Sequence, residues 1–271
     1  MKIAVLGARG TIGAVLAQHL SQQHNVTAVT RDQVDLLDTQ AVRQYFNQKT
    51  FDVVVNAAIN SVNGISAPPQ VNSDNLTLFM NLYEHRHSFG RVIHFCSGAE
   101  FDISQDISNT KEDHLFDSRP IDPYGASKNA TARLSYNTDN FYNLRIFGIF
   151  YPTELRTRLL PLILSGRNVT IKDRYFDYLW LEDLIPVVDY YVNTATPRHK
   201  DINVVYPEKS RLSDFVRRFV QYNDLAVKIP IDPVPGLNYT GSSDRYQSLD
   251  LPCLGQDYGL KNYVTRWRDQ T

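Results

Sequence analysis

The sequence has little cysteine and no long apolar run. Of its 271 residues only Cys96 and Cys253 are cysteines, and they form neither a disulfide framework nor zinc-ligand spacing. His85 and His87 are the only close histidine pair, and no cysteine or acidic cluster joins them, so no metal site is expected. No stretch approaches the ~20 apolar residues of a membrane helix. A strand-like segment directly after Met1 leaves no room for a secretory signal. We therefore expect a globular, cytoplasmic protein without membrane contact.

The sequence also lacks an excess of charge of either sign. It has 28 Lys and Arg against 29 Asp and Glu, which gives a net charge of −1. Proteins that bind nucleic acid concentrate positive charge against the phosphate backbone, so nucleic acid is not an expected partner. Gly and Pro number 13 each, which excludes fibrous and low-complexity chains.

The strongest local pattern lies at the start of the chain. Lys2–Leu6 is an apolar run typical of a buried parallel strand, and Ala14–Leu20 is a good helix former. Between them stand Gly7, Gly10 and Gly13, spaced three apart. In such a turn the first glycine permits the bend, the second lets the backbone approach a pyrophosphate, and the third allows close helix packing. Although the spacing differs from the commoner G-x-G-x-x-G, the strand–turn–helix context predicts dinucleotide binding at the helix N-terminus.

Apolar strands alternate with helical stretches along the rest of the chain. This alternation predicts an α/β fold, a doubly wound parallel sheet of the Rossmann type with helices on both faces. Further strands are predicted at Asn25–Val29, Phe51–Val55, Arg91–Phe95, Tyr142–Phe147 and Asp201–Val205. Helices are predicted at Thr39–Asn47, Asn72–His85, Tyr124–Asn137 and Ser213–Tyr222. Loops are predicted at the proline-containing segments Ser66–Gln70, Ser118–Pro123 and Ile229–Gly236.

A second pattern pairs a tyrosine with a lysine. Tyr124 and Lys128 are four residues apart, so on a helix they share one face. An ammonium beside a phenol favours the phenolate, which makes Tyr124 a usable proton donor or acceptor near neutral pH. Ser97 follows the strand Arg91–Phe95, where a hydroxyl at the carboxyl end of the strand faces the same cleft.

Together these features resemble the extended, nucleotide-sugar-modifying branch of the short-chain dehydrogenase/reductase superfamily, which includes NAD-dependent epimerases and dehydratases. The resemblance covers nearly the whole chain. Besides the glycine turn, Tyr124 and Lys128, it rests on Asn56–Ala58, His94–Phe101, Leu144–Phe147 with Pro152, and Leu181–Leu184.

The resemblance implies a role for each matching residue. Tyr124 would be the general acid/base, Lys128 would hold the nicotinamide ribose, and Ser97 would hydrogen-bond the sugar oxygen. The implied cofactor-binding residues are Gly7, Arg9, Gly10, Thr11, Ile12, Gly13, Arg31, Asp35, Leu36, Asn56, Ala57, Ala58, Tyr124 and Lys128. The implied substrate-binding residues are Ser97, Arg174 and Arg245.

The residues after the second strand bear on the choice of cofactor. NAD-specific Rossmann proteins usually place an acid there, which accepts from the ribose 2′-hydroxyl. Here Arg31, with Arg9 of the glycine loop, is placed to pair a 2′-phosphate, while Asp32 is a competing acid. We therefore expect a preference for NADP(H), with NAD(H) possible.

Two further features favour a reductase within this branch. The compact path from Asp35 to Phe51 and the modest length resemble 4-ketoreductases such as dTDP-4-dehydrorhamnose reductases and GDP-fucose synthases. The 4,6-dehydratases carry an Asp-Glu pair where this chain has Gly98 and Ala99, so dehydration is not expected.

The chain departs from the branch where a diphosphate is usually held. Phe176 stands where many members have an arginine before the residue equivalent to Asp177, and Arg174 would substitute for it. Tyr151 replaces the usual glycine before Pro152. These departures make the nucleotide-sugar contacts less secure than the cofactor contacts.

The expected function is an NADPH-preferring 4-ketoreductase of a nucleoside-diphosphate 4-keto-deoxysugar, used for surface polysaccharides. The alternatives are a nucleotide-sugar epimerase with tightly held NAD, a non-catalytic dinucleotide sensor, and a reductase of some non-sugar carbonyl. The expected dinucleotide-binding domain spans residues 1–150 with about 181–206. A smaller, discontinuous substrate domain would span about 151–180 and 207–271. The resemblance also implies a homodimer packed through the helices around Asn72–His85 and Tyr124–Asn137.

Overall fold

A computed structural model describes residues 1–60 and 68–268. Its strands are β1 (Lys2–Leu6), β2 (Asn25–Val29), β3 (Phe51–Asn56), β4 (Phe89–Ser97), β5 (Ile107–Thr110), β6 (Phe141–Ile146), β7 (Gly148–Phe150), β8 (Ile171–Lys172), β9 (Tyr178–Trp180), β10 (Asp201–Asn203), β11 (Ile231–Asp232) and β12 (Tyr239–Gly241). Its α-helices are α1 (Thr11–Leu20), α2 (Thr39–Asn47), α3 (Gln70–Glu84), α4 (Pro123–Tyr136), α5 (Leu159–Leu164), α6 (Ile185–Asn193), α7 (Leu212–Tyr222), α8 (Asp244–Gln247) and α9 (Gln256–Arg268).

The centre of the molecule is a six-stranded parallel sheet in the order β10-β6-β4-β3-β1-β2. Alternate residues of β1 face opposite layers, as the two-residue period of a strand requires. Ile3 and Val5 pack in the cluster that contains α1 and α6. Ala4 and Leu6 pack in the cluster that contains α2 and α3. Because helices cover both faces, the strand is apolar from Ile3 to Leu6. The predicted doubly wound Rossmann arrangement is confirmed.

Several predicted boundaries shift by a few residues. β4 extends through Ser97, so the serine is the last residue of the strand and not the residue beyond it. α4 begins at Pro123, because a proline fits the first helical turn. The predicted loop Ile229–Gly236 contains β11. Of the predicted loop Ser66–Gln70, residues 66 and 67 lie outside the described residues, and α3 begins at Gln70.

A separate apolar cluster lies outside the central sheet. It joins Phe150 and Trp180 with Phe215 of α7 and Tyr263 of α9. The short strands pair as β5 with β12, β7 with β9, and β8 with β11. The division into a dinucleotide-binding domain and a discontinuous substrate domain stays a prediction. Among the described residues, no helix combines the length and apolar character needed to cross a bilayer.

Candidate active site

The glycine turn follows β1, at the point where the order of the strands in the sheet reverses. The chain places β2 on one side of β1 and β3 on the other, and such switch points are where doubly wound sheets bind ligands. Gly7 has a φ of +74°, and a Cβ there would lie 2.8 Å from the carbonyl oxygen of Ala57. A Cβ at Gly13 would overlap the carbonyl oxygen of Gly7. A Cβ at Gly10 would meet only that same oxygen, at 3.3 Å. Gly7 and Gly13 are therefore required for close backbone packing, while the absence of a side chain at Gly10 leaves space above the turn.

The first turn of α1 is available to an anion. Gly10 occupies the N-cap position in an extended conformation, and no side chain caps the helix. The first N–H groups of such a helix lack intrahelical partners and attract phosphate. Thr11 donates from Oγ1 to the carbonyl oxygen of Thr153 at 3.1 Å, and Ile12 packs against the core below. The open floor and the uncapped helix fit the pyrophosphate of a dinucleotide.

The segment after β3 is fixed by a buried side-chain pair. Asn56 Oδ1 accepts from the N–H of Ala58 at 3.3 Å, and the N–H of Ala57 donates to Leu6 at 3.1 Å. Asn56 Nδ2 lies 3.1 Å from Nδ1 of His94, which is also buried. The amide nitrogen can only donate, so His94 Nδ1 accepts and Nε2 carries the ring proton. The sequence pattern placed Asn56, Ala57 and Ala58 near the cofactor but indicated no role for His94.

His94 reaches the neighbourhood of Lys128. Burial lowers the pKa of His94 well below its usual value, and the Lys128 ammonium lowers it further, so the imidazole is neutral. Its Nε2 is buried without a hydrogen-bond partner. A cavity of about 10 Å³ is lined by His94, Lys128, Asn56 and Asn75, which is space for about one water molecule.

Two arginines flank the turn after β2. Arg9 of the glycine loop pairs with Asp32, and Arg31 Nε lies 3.4 Å from Asp35 Oδ2. Both arginine side chains are exposed, at 69% and 72%. Asp35 also accepts from the N–H of Leu37 at 3.1 Å, and Leu36 packs against the core formed with α2 and α3. The two exposed ion pairs contribute little stability, so a stronger anion can displace the aspartates at small cost.

Ser97 ends β4 and begins a short 3₁₀ turn. Its Oγ accepts from the N–H of Ala99 at 3.3 Å, and Glu100 Oε1 accepts from the N–H of Ser97 at 2.8 Å. Glu100 Oε2 accepts from Arg145 Nε at 2.8 Å, and both charged side chains are fully buried. Burial raises the pKa of Glu100, and the Arg145 guanidinium opposes the rise. The Glu100 carboxylate thus points into the core and gives the cleft no acid beside Gly98 and Ala99.

Arg145 of β6 connects the 3₁₀ turn after β4 with β10. Besides Glu100, its guanidinium donates to Asp201 Oδ2 and Asn203 Oδ1 of β10, both at 3.0 Å. Burial alone would lower the pKa of Arg145. The pairs with Asp201 and Glu100 outweigh burial and raise the pKa above its ordinary value, so the arginine stays charged. A buried charge persists only when it is paired and hydrogen-bonded in this way. Arg145 therefore holds the strand end that carries Ser97.

The start of α4 packs directly against the segment that follows Ser97. Asp122 caps the helix, accepting from the N–H of Gly125 at 2.8 Å. A Cβ at Gly125 would lie 2.6 Å from the carbonyl oxygen of Ala99, so the helix and the 3₁₀ turn are in close contact. Lys128 is buried, and its Nζ donates to the carbonyl oxygen of Phe95 at 2.5 Å.

These contacts bring the three predicted catalytic residues to one end of β4. Ser97 is its last residue, and Lys128 binds the carbonyl group two residues earlier. Tyr124 lies one helical turn before Lys128 on the same face of α4 and is half-buried. The arrangement can donate a hydrogen bond and a proton to one oxygen atom held in the cleft.

Tyr239 is a cleft residue that the sequence pattern did not indicate. Its strand, β12, pairs with β5, and its ring lies 5.0 Å from that of Phe147 in an edge-to-face contact. Burial raises the pKa of Tyr239, hydrogen bonding to Ser97 opposes this, and Tyr124 adds to the rise. Its ring packs on Phe147, which itself packs against Gly98 at the end of β4. No local motif marks Tyr239, because it reaches the cleft through strand pairing far along the chain.

The two predicted substrate arginines have different surroundings. Arg174 lies over the ring of Phe176, its Nη1 is 3.5 Å from the carbonyl oxygen of Leu237, and its Nε is buried without a partner. Arg245 instead donates to Asp113 at 2.6 Å and to the carbonyl oxygen of Asp201 in the edge strand β10. Their diphosphate contacts stay predictions, and Arg245 would have to exchange an ion pair to make them.

A family model for the NAD dependent epimerase/dehydratase family matches residues 3–204. The chain belongs to this family. The match spans the glycine turn, β4 and α4, and so includes every predicted catalytic residue. It confirms the resemblance seen in the sequence. A search of curated protein sequences found no match.

Solved structures of this fold include several sugar-nucleotide enzymes. A GDP-mannoheptose C4 reductase from Campylobacter jejuni with NADP bound is 17% identical, with a TM-score of 0.81 over 99% of this chain and 98% of that one. A UDP-glucose 4-epimerase from Thermotoga maritima is 15% identical, with a TM-score of 0.83 over 100% and 99%. A dTDP-4-dehydrorhamnose reductase from Bacillus anthracis in complex with NADP is 12% identical, with a TM-score of 0.78 over 98% of each chain. At these identities the similarity shows the shared fold.

Proposed function

We propose that this epimerase/dehydratase family member is an NADPH-preferring 4-ketoreductase acting on a nucleoside-diphosphate 4-keto-deoxysugar. The observation that carries the proposal is the convergence of Ser97, Tyr124 and Lys128 at the end of β4. The NADP-bound heptose and rhamnose reductases of the same fold support the choice of reaction. The buried position of Glu100 supports reduction over dehydration, because its carboxylate pairs with Arg145 in the core and does not face the cleft.

The chemistry divides between the cofactor and this chain's residues. A bound nicotinamide dinucleotide supplies the hydride that reduces the carbonyl carbon. Tyr124 gives its phenolic proton to the carbonyl oxygen as negative charge develops there, and Ser97 donates a hydrogen bond to the same oxygen. Lys128, held by the carbonyl group of Phe95, stabilises the phenolate that remains. Its ammonium would also donate to the ribose of a bound dinucleotide.

The preference for NADPH rests on Arg9 and Arg31. A 2′-phosphate at the end of β2 would replace Asp32 and Asp35 as the partner of these guanidinium groups. Guanidinium binds phosphate through paired, charge-assisted hydrogen bonds, which are stronger than the exposed ion pairs they replace.

The substrate contacts and setting complete the proposal. Arg174, whose Nε lacks a partner, would bind the diphosphate, and Arg245 would contribute only after releasing Asp113. The enzyme would act as a cytoplasmic homodimer, packed through α3 and α4, in the synthesis of surface polysaccharides.

The second candidate is a sugar-nucleotide epimerase that keeps NAD bound. One observation favours it: Asp32 stands beyond the end of β2, near where NAD-specific proteins place the acid that accepts from the ribose. An epimerase oxidises and re-reduces the same carbon, so it consumes no external NADPH.

A turnover assay separates the two candidates. The purified protein would be mixed with NADPH and a panel of dTDP- and GDP-linked 4-keto-6-deoxysugars, and also with the corresponding 4-hydroxy sugar nucleotides. We expect one NADPH consumed for each 4-keto sugar converted to a 4-hydroxy product, identified by NMR. Interconversion of 4-hydroxy epimers without added NADPH would contradict the reductase proposal.

A further inference from the structure

Glu100 is a buried acid that the proposed reaction does not use. Its side chain is fully buried, and so is that of its partner Arg145. It lies three residues after Ser97, in the short 3₁₀ turn Gly98–Phe101 that follows β4. Burying an ion pair is costly, and apolar residues of similar size often give equal stability. The Glu100 charge therefore calls for a role beyond packing.

A reciprocal set of hydrogen bonds fixes the start of this turn. Glu100 Oε1 accepts from the N–H of Ser97 at 2.8 Å, and Ser97 Oγ accepts from the N–H of Ala99 at 3.3 Å. This arrangement is a capping box, which holds the first residue of a helical turn. Because the Ser97 oxygen is an acceptor within the turn, its single proton remains for a partner outside the turn.

Arg145 fixes the other oxygen of the Glu100 carboxylate. Its Nε donates to Glu100 Oε2 at 2.8 Å. Its two terminal nitrogens donate to Asp201 Oδ2 and Asn203 Oδ1 of β10, both at 3.0 Å. The guanidinium carbon also lies 4.8 Å from the ring centre of Phe101. Since every nitrogen of the guanidinium is engaged, the carboxylate is held in one position relative to β6 and β10.

The main chain of Glu100 ties the same turn to α4. Asn129 Nδ2 donates to the carbonyl oxygen of Glu100 at 2.9 Å. Arg133 Nε donates to Asn129 Oδ1 at 2.7 Å, which fixes the orientation of the amide. Asn129 is buried and directly follows Lys128 on α4. Glu100 therefore connects the Ser97 turn to β6 through its side chain and to α4 through its backbone.

We propose that Glu100 is a positioning residue that acts through Ser97. Its carboxylate, held by Arg145, keeps the Ser97 hydroxyl aimed at the carbonyl oxygen of the substrate. A displacement of about 1 Å in such a group removes a large part of its effect on the rate. The catalytic part of this inference rests on the proposed reductase function, whereas the fixing of Ser97 by the carboxylate does not.

Glu100→Met is the test variant because it leaves no buried charge unpaired. Arg145 keeps its ion pair with Asp201, and methionine is unbranched and adapts to the space that remains. The Ser97 N–H loses its acceptor. If Glu100→Met does not fold, Glu100→Gln replaces it. The single amide oxygen of glutamine can accept from Ser97 or from Arg145 but not from both, so the same changes are expected at roughly three-fold size.

Amide hydrogen exchange, followed by NMR without substrate, tests the positioning. In Glu100→Met we expect the Ser97 amide to exchange roughly ten-fold faster relative to Ile93 in the interior of β4. Asp183→Asn is the matched control, because the buried Asp183 carboxylate accepts from the N–H of Gly255 at 3.0 Å but lies in the turn before α6. The control should leave the ratio as in wild type. An unchanged ratio in Glu100→Met would overturn the proposal.

Turnover with NADPH and the 4-keto sugar nucleotide that wild type reduces tests the catalytic role. We expect Glu100→Met to lower kcat roughly ten-fold with KM changed less than about two-fold, because Glu100 does not touch the substrate. In the Ser97→Ala background the same substitution should alter kcat less than about two-fold. Asp183→Asn should keep kcat within about two-fold of wild type while it loses stability.

Two kinetic outcomes would overturn this role. Equal kcat losses in the wild-type and Ser97→Ala backgrounds would mean that Glu100 acts on the fold as a whole and not through Ser97. A wild-type kcat in Glu100→Met would mean that the carboxylate positions no group that the reaction uses. If wild type reduces no 4-keto sugar nucleotide, the proposed function fails, and the exchange measurement alone still decides whether Glu100 fixes Ser97.

Discussion

The two sides of the cleft are built in different ways. The proposed cofactor side consists of short loops that directly follow β1, β2 and β3, and each loop carries predicted cofactor-binding residues. The substrate side is assembled from distant segments: Arg174 precedes β9, and Tyr239 arrives on β12 after the chain has left the central sheet. One side is therefore local in sequence, and the other depends on tertiary pairing.

Because of this difference, we expect the two sides to be sensitive to different substitutions. On the proposed cofactor side the backbone itself would contact the dinucleotide, so we expect a single added methyl group in the glycine turn to weaken binding. On the substrate side the functional groups are held by buried polar contacts, such as the Lys209–Asp177 ion pair at 2.9 Å and the hydrogen bond from Gly241 to Asp177. Conditions that weaken those contacts should affect the substrate side first.

The largest expected effect is on the chemical step. Tyr124→Phe removes the proton donor but no packing, so kcat should fall about 1,000-fold while the Kd for NADPH changes less than three-fold. Turnover with the 4-keto substrate and quenching of protein fluorescence by NADPH measure the two quantities. Tyr136→Phe, at the other end of α4, is the control. Retained turnover with lost cofactor binding would contradict the role of Tyr124.

The next largest expected effect is the pH dependence of stability on the substrate side. Glu154, in the loop after β7, accepts from the Tyr263 hydroxyl at 2.7 Å, and burial raises its pKa to about 7. The folded state therefore holds this proton more tightly than the unfolded chain does. The resulting stability is fully present below about pH 4.5 and is lost as pH rises through 7, by about 3 kcal/mol.

Urea unfolding as a function of pH measures this contribution. Glu154→Gln keeps an acceptor for Tyr263 and should reduce the loss of stability between pH 4.5 and 7 by about 3 kcal/mol. Glu208→Gln, at an exposed position, should leave the loss as it is in wild type. A loss of wild-type size in Glu154→Gln would assign the titration to other groups.

Two glycine-to-alanine substitutions distinguish the packing role of Gly13 from the open position of Gly10. Gly13→Ala forces a Cβ into the Gly7 carbonyl group, so it should cost about 2 kcal/mol of stability and weaken dinucleotide binding. Gly10→Ala meets only one atom, at 3.3 Å, so its stability should change by less than about 1 kcal/mol. Its added methyl group occupies the open floor, so binding should still weaken ten-fold or more. Equal stability losses in the two variants would contradict the packing assigned to Gly13.

The smallest expected effect concerns cofactor choice. Arg31→Ala should raise the Kd for NADPH roughly ten-fold, because charge-assisted hydrogen bonds to the 2′-phosphate are lost. The Kd for NADH should change less than two-fold. Arg43→Ala, another exposed arginine paired with Glu84, is the control. An equal loss for both cofactors would place Arg31 away from the 2′-phosphate.

The features that the sequence predicts correctly are mostly the ones that are local in sequence. β1, β2 and α2 have the predicted bounds: β1 is a continuous apolar run from Ile3 to Leu6 covered on both faces, β2 is rich in β-branched residues, and α2 is an amphipathic helix with a clear period. Ser97 ends β4, Lys128 binds the carbonyl group of Phe95, and Tyr124 lies one turn earlier on α4, whereas their catalytic roles stay a prediction. The family assignment from these motifs is confirmed by the match over residues 3–204.

The contacts that the sequence does not predict depend on partners without local patterns. β5 and β12 are too short to show a period, so their pairing and the placement of Tyr239 are not evident beforehand. The His94–Asn56 pair joins two buried strands through polar side chains, where an apolar pattern predicts only packing. The ion pairs of Arg245 likewise depend on which segments meet at the edge strand β10.

The most direct test of the central claim is to identify the nucleotide that the purified protein carries and prefers. The protein would be denatured, any released nucleotide identified, and the emptied protein titrated with NADPH and NADH. We expect little bound NAD and a Kd for NADPH at least ten-fold below that for NADH. Near-stoichiometric NAD retained through purification would contradict the reductase and favour the epimerase, and failure to bind either cofactor would contradict both.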